Sequence, residues 1–254
     1  MLKTEIQHFV AALMFYTRIP CPNSIEPSNK SLKYFPLIGW IIGGIGVATL
    51  LIFHSILPLS VSILLSMAAT IYATGAFHED GFTDTCDAFG GGWTKPQILS
   101  IMKDSRIGAY GTVGIIVLLS LKWITLYEIG LYSVPILLIS YLNAHISSRF
   151  MASLMVQSHQ YVQDINKSKS SKAAIQLSLG EMWYSSIFVL LGGLFFYSYP
   201  LLLLAFPIAY MTKLYLGYYF NKRIGGYTGD CLGAIQQVTE IMFYLGILAL
   251  CKFI

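Results

Sequence analysis

Seven stretches of this chain are apolar over a length that can cross a lipid bilayer, and that recurrence decides the fold class before any motif is read. They run at about Pro36 to Leu57, Val61 to Phe77, Ala109 to Ile129, Val134 to Val156, Trp183 to Tyr199, Leu201 to Phe220 and Leu232 to Phe253. A hydrocarbon core of about 30 Å asks for roughly 20 helical residues at about 1.5 Å each, and only the second and fifth stretches are short of that. Composition agrees. The chain is 56% hydrophobic and 11% charged, against about 25% charged residues in a soluble domain. The expectation is an all-α, polytopic membrane bundle. No tandem repeat or low-complexity linker divides it, so residues 1–254 are read as one membrane-embedded catalytic domain.

Ahead of the first span, Thr4 to Ile19 places Ile6, Phe9, Val10, Leu13 and Met14 on one side of a helix, with Gln7, His8 and Arg18 elsewhere on it. That pattern predicts an interfacial helix in contact with membrane lipid. Connections at Pro58 to Ser60, Gly130 to Ser133 and Tyr199-Pro200 are tiny and lack Lys and Arg. The other loops carry Lys3, Arg18, Lys30, Lys33, Lys95, Lys103, Arg106, Lys167, Lys169, Lys172, Lys222 and Arg223, which is 12 of the 16 basic residues. Positive residues mark the inner side, so the expectation is a protein of the cytoplasmic membrane with its N-terminus and its motif-bearing loops facing the cytoplasm. Lys252, near the outer end, is the exception. A formal charge of +4 with no basic, aromatic-interleaved stripe gives nucleic-acid binding no support. Cys21, Cys86, Cys231 and Cys251 lack metal-ligand or disulfide-framework spacing. No cleavable signal segment is expected at the N-terminus.

Chemistry concentrates in the loops on that inner side. After the second span come Asp80, Asp84 and Asp87, at i, i+4 and i+7, on one face of a helix. Three carboxylates so placed repel unless a cation neutralises them. Mg²⁺, which prefers oxygen ligands and leaves positions to water and phosphate, is the cofactor that suits them. The alternative is a solvated acidic face. Gly90, Gly91 and Gly92 end that helix and also permit close approach of an anion. A further helix is predicted from Gln97 to Arg106, stopping at Gly108, and its last turn presents Lys103, Asp104 and Arg106. Two cations beside three acids suit a phosphate clamp; alternatively they are positive residues flanking a span. The segment from Gly225 to Gly233, with Gly226, Thr228 and Asp230, has the freedom to fold around a ligand, although Asp230 could serve only as an N-cap. His78 adjoins the acids and is a candidate for polar contact. Arg149 and Glu240 lie inside spans and should face the bundle interior or a wet cavity, pairing with each other or meeting substrate. His145 and Asn143 read as interhelical packing or hydrogen-bonding residues. Lys122 and Lys213 are expected to snorkel to an interface.

Taken together, these pieces resemble the cobalamin synthase, or adenosylcobinamide-GDP ribazoletransferase, family. The matching segments are Phe15 to Pro20, Tyr34 to Gly39, His78 to Gly92, Ile101 to Gly108, Ser148-Arg149 and Gly225 to Ala234 followed by Glu240. Glu79 is a departure, because the family commonly has an apolar residue there. The resemblance implies a membrane enzyme that uses Mg²⁺. The 3′-hydroxyl of α-ribazole, or of its 5′-phosphate, attacks the cobinamide-side phosphorus of adenosylcobinamide-GDP and GMP leaves. On that basis Asp80, Asp84 and Asp87 would hold metal, Lys103 and Arg106 would meet the departing GMP, and Asp84, Asp104 or Asp230 would serve the reacting groups. His78, Gly91, Arg149, Gly226 and Thr228 would contact substrate. Whether Asp104 or Asp230 takes the hydroxyl proton, and whether the chain forms a homo-oligomer, sequence leaves open. Two rivals were weighed. A CDP-alcohol phosphotransferase would place an Ala-Arg pair after its first Asp-Gly and a later Gly-x-x-x-Asp-x-x-x-Asp, both missing here. A cation or corrinoid transporter would gather polar groups at the midplane, whereas these acids lie mostly in loops on one side.

Overall fold

The computed structural model describes residues 2–22, 28–162 and 176–254, and shows ten α-helices within them. Lys167, Lys169 and Lys172 lie outside the described residues. α1 is Leu2–Tyr16, α2 Phe35–His54, α3 Leu59–Thr74, α4 Phe77–Gly91, α5 Lys95–Ile101, α6 Ala109–Tyr132, α7 Val134–Ser158, α8 Leu179–Gly193, α9 Ala205–Ile224 and α10 Gly229–Leu250. Short 3-10 turns precede α2 and join α8 to α9, at Asn29–Tyr34, Leu194–Phe196 and Pro200–Leu204. The chain is a multi-pass helical membrane protein. Five helical segments, containing α2, α6, α8, α9 and α10, are long and apolar enough to cross a membrane.

α3 and α7 complete the expected seven, each in its own way. α7 runs for 25 residues but carries Ser140, Asn143, His145, Ser147, Ser148, Arg149 and Ser153, all buried. Its neighbours α2, α10, α8, α6 and α9 surround it, so its polar groups meet protein instead of lipid. α3 ends where Gly75 and Ala76 both adopt left-handed φ, at 67° and 56°, and α4 leaves at 89° to it. The helix after this bend is the one that carries the three aspartates.

Small residues allow the bundle to close. A Cβ on Gly39 of α2 would stand 2.5 Å from the carbonyl oxygen of His145 on α7, and one on Gly81 of α4 would stand 3.1 Å from the Cα and carbonyl oxygen of Asp230 on α10. Across that second contact, a Cβ on Gly233 would lie 3.0 Å from the His78 carbonyl oxygen. Backbones approach this closely only at small residues. Gly44, by contrast, has nothing within 4 Å of an added Cβ. Gly81→Leu is therefore expected to cost about 1–3 kcal/mol through overpacking and to lower the melting temperature in detergent, while Gly44→Leu leaves it unchanged. Equal melting of the two variants would remove the tight crossing from the account.

Several expectations are corrected. The helix predicted to Arg106 stops at Ile101, because the Asp104 carboxylate accepts the Arg106 backbone N–H at 3.1 Å, a local turn that competes with helix. Lys122 and Lys213 do not snorkel. Lys122 is buried against Glu240, and Lys213 donates to the Ser158 hydroxyl at 2.6 Å. All four cysteines are free. The N-terminal helix is docked by Glu5, which accepts from Tyr34 Oη at 2.6 Å and pairs with Lys33 Nζ at 2.7 Å. Those bonds, Lys33 first, hold the Glu5 carboxyl down to about 2.

Candidate active site at the crossing of the two glycine helices

Asp80, Asp84 and Asp87 project from one side of the unbroken helix α4. Asp80 is exposed, while Asp84 and Asp87 are half-buried. The Gly81 to Gly233 contact brings a fourth acid to them. Asp230, in the first turn of α10 and ahead of the apolar run that starts at Leu232, stands directly against Gly81. Its backbone sits there because Thr228 caps α10, the hydroxyl accepting from the Cys231 N–H at 3.3 Å.

Electrostatics register the crowding. Burial raises the Asp84 carboxyl to about 6, with Asp80 and Asp87 adding repulsion. Burial likewise lifts Asp230 to about 7, and Asp84 and then Asp80 push it the same way. Asp84 lies on α4, and Asp230 lies in the first turn of α10, ahead of the apolar run that starts at Leu232. Where neighbouring carboxylates add repulsion to burial, positive charge brought among them is favoured.

Asp87 has a different occupation. Its two oxygens accept the backbone N–H groups of Gly108 and Gly111 at 2.7 and 2.8 Å, which secures the start of α6 at its positive end. A Cβ on Gly108 would come within 2.5 Å of Asp87 Oδ1, and one on Gly111 would overlap the same carboxylate. Gly90 performs a similar service for the ring of Tyr110, whose atoms would lie 2.5 Å from its Cβ.

The remaining candidates divide by exposure. Gly91, Lys103 and Arg106 are exposed. Arg106 is engaged in a two-pronged pair with Asp104, Nε to Oδ1 at 3.0 Å and Nη2 to Oδ2 at 2.6 Å, and this bonding holds the Asp104 carboxyl at about 2. A carboxylate held so low is a weak base, and Asp230 is a stronger one. Gly226 and Thr228 are buried. Gly226, at φ 157°, lets its backbone pass the Gln160 carbonyl, and Tyr227 pairs with that strand-like segment through N–H to Gln160 O at 2.9 Å and O from Val162 N–H at 3.0 Å. These glycines thus serve chain-to-chain approach.

His78 and Arg149 are buried too, in a polar network through the bundle. Arg149 Nη1 donates to the His145 carbonyl at 3.0 Å and lies 3.1 Å from His145 Nδ1. Glu240 pairs with Lys122 and accepts from Gln236 Nε2 at 2.6 Å. Arg149 and Glu240 do not pair directly but share His145, whose Nδ1 is 3.4 Å from Glu240 Oε2. Glu79 belongs to the same interior, accepting from Gln237 Nε2 at 2.9 Å.

One residue with a structural hold on the acid helix escaped sequence reasoning. Arg223 donates to the Gly92 carbonyl at 2.7 Å and to Tyr219 Oη at 3.0 Å, and its guanidinium lies over the Phe89 and Tyr219 rings. A cation at the end of α4 suits the carbonyls exposed there. In the sequence it was indistinguishable from any other inner-side Arg.

Among known proteins, the family model described as cobalamin-5-phosphate synthase matches residues 8–248. An adenosylcobinamide-GDP ribazoletransferase of Shewanella frigidimarina is 44% identical over 253 residues, covering 96% of this chain and 95% of the relative. One from Leptospira interrogans is 42% identical, with 97% and 96% covered, and one from Shewanella woodyi is 39% identical, with 97% of each covered. No solved structure matches the chain.

Proposed function

Because the chain belongs to the cobalamin-5-phosphate synthase family, we propose that it transfers adenosylcobinamide phosphate from adenosylcobinamide-GDP to α-ribazole or α-ribazole 5′-phosphate. The acceptor's ribose oxygen forms a bond to the cobinamide-side phosphorus, the bond from that phosphorus to the oxygen of GMP breaks, and the hydroxyl proton passes to a base. This closes the nucleotide loop of a cobalamin.

The observation that carries the reading is the set of Asp80, Asp84 and Asp230 at the α4–α10 crossing. Among the described residues no three acid, His or Cys groups enclose a metal by themselves. Mg²⁺ does not ask for that, since it is held by one or two carboxylates and completes its shell with water and phosphate oxygens. The donors are all oxygens, and burial first and neighbouring carboxylates second raise the Asp84 and Asp230 carboxyls, so the set fits a hard cation. Mg²⁺ bound there supplies the charge neutralisation that phosphoryl transfer needs. Asp80 and Asp84 present the oxygens, Asp87 braces α6 beside them, and Lys103 and Arg106 supply positive charge for the departing GMP. Asp230, raised to about 7, is the group suited to take the hydroxyl proton near neutrality. The distribution of Lys and Arg supports a cytoplasmic-membrane location with this face toward the cytoplasm.

Purified protein in detergent, given adenosylcobinamide-GDP and α-ribazole, is expected to release GMP with Mg²⁺ and to stop when the cation is chelated. No GMP under any condition contradicts the reaction, and undiminished release after chelation contradicts the cofactor. The acidity of the site gives a second expectation. A cation must displace the proton that Asp84 holds at about 6, so the Mg²⁺ concentration for half-maximal rate rises as pH falls from about 7 to about 5. Activation curves at several pH values check this, and curves that superimpose across that window would remove the cation from these carboxylates.

A further inference from the structure

The crossing that assembles the acid face is made of two glycines, and a glycine pair has nothing to interlock. Ridges of side chains seated in grooves fix how packed helices turn against one another. Gly81 and Gly233 bring α4 and α10 close without resisting rotation of α4 about its own axis. A turn of one residue is about 100°, enough to carry Asp80 and Asp84 away from Asp230. Something else must hold the roll of α4.

Two carboxylates on α4 add to the hold that Arg223 and the packing of Phe82, Cys86 and Phe89 give it. One is Asp87, fastened to the N–H groups of Gly108 and Gly111. The other is Glu79, adjacent to Asp80 in sequence but turned inward, where it is buried while Asp80 is exposed. Glu79 Oε1 accepts from Gln237 Nε2 at 2.9 Å, which also donates to Gln236 Oε1 at 2.9 Å. Gln236 Nε2 then donates to Ser148 Oγ at 3.0 Å and to Glu240, which pairs with Lys122. An unbroken line of buried side chains therefore runs from α4 through α10 to α6 and α7.

We infer that Glu79 is a positioning residue. Through Gln237 it fixes the rotation of α4, and with it the presentation of Asp80 and Asp84 beside Asp230 to a divalent cation. The inference rests on the reading of the acid face as a Mg²⁺ site. Glu79 is not itself a ligand, because its carboxylate faces the bundle interior.

The test is Mn²⁺, titrated by electron paramagnetic resonance into purified full-length protein in detergent without substrate. Glu79→Leu and Gln237→Leu are each expected to weaken Mn²⁺ binding about 10-fold, the scale set by residues that orient metal ligands. Glu79→Gln, whose amide oxygen still accepts from Gln237, stays close to wild type. Glu79→Leu with Gln237→Leu is no worse than either alone, since the same link is cut. If Glu79→Leu does not yield folded protein, Gln237→Leu decides, because it breaks that hydrogen bond while keeping the interior charges. Wild-type Mn²⁺ affinity in the folded Leu variants, even with a lowered melting temperature, overturns the inference. Asp84→Asn separates the two claims. Wild-type Mn²⁺ affinity in that variant sinks the acid-face reading itself, whereas loss there with no effect at Glu79 or Gln237 sinks only the positioning role.

Discussion

Asp84→Asn is expected to reduce GMP release at least about 100-fold, at or beyond the upper end of the loss seen when merely the support of a metal ligand is removed, while the protein inserts and folds as before. The substitution keeps shape and removes one negative charge. Asp84 is half-buried, stands between Asp80 and Asp87 on α4, and has its carboxyl raised to about 6 by burial and by those two neighbours. A group raised in this way is strained in its charged form, so its neutral replacement should melt at the same temperature or higher in metal-free buffer near neutral pH. Asp87→Asn makes the contrast. Asp87 uses both oxygens on the N–H groups of Gly108 and Gly111, and an amide offers only one acceptor oxygen. That variant should lose about 1 kcal/mol, the worth of a helix-start partner, and melt lower. Activity assays and thermal melting of the pair are the measurements. Near-wild-type turnover in Asp84→Asn, or a fall in its melting temperature larger than that of Asp87→Asn, would place the function of this acid in the fold and not in the chemistry.

The contrast also shows what could be read from the residues alone. Asp80, Asp84 and Asp87 were legible as one face because helical spacing is local, and α4 is continuous across all three. That Asp87 is committed to α6 was not legible, because the amides it binds become available only when α6 starts beside it. Glycine shows the same limit. A run such as Gly225 to Gly233 signals close approach, but sequence does not say to what. Here Gly226 admits the Gln160 carbonyl, Gly233 admits α4, and Asp230 stands against Gly81. The spans were read well where lipid surrounds them. α7 was recognised by length, although its polar content leaves it outside the helices that qualify by apolarity. The reason is its central position, which turns Arg149, His145 and Asn143 toward protein. Lys122 was placed at an interface because its partner Glu240 is remote in sequence, and the pairing exists only after α6 and α10 have packed.

That pair leads to the second large effect. Glu240→Gln is expected to be among the most damaging single changes in the bundle, because Lys122 is buried and Glu240 is the only carboxylate within ion-pair distance of it among the described residues. Breaking a buried pair from one side costs about 3–5 kcal/mol, most of it from the charge left behind. Lys122→Met should cost less, since Glu240 keeps the Gln236 amide at 2.6 Å and the His145 ring at 3.4 Å. With both changes made, the charge stranded on Lys122 is gone. The double variant should therefore recover most of the melting temperature and yield of membrane-inserted protein lost in Glu240→Gln. Full recovery is not expected, because Gln236 and His145 were arranged around a carboxylate. Strictly additive losses in the double variant would mean that Lys122 and Glu240 are stabilised separately, and that the line of side chains from Glu79 to Lys122 carries no load between α4 and α6.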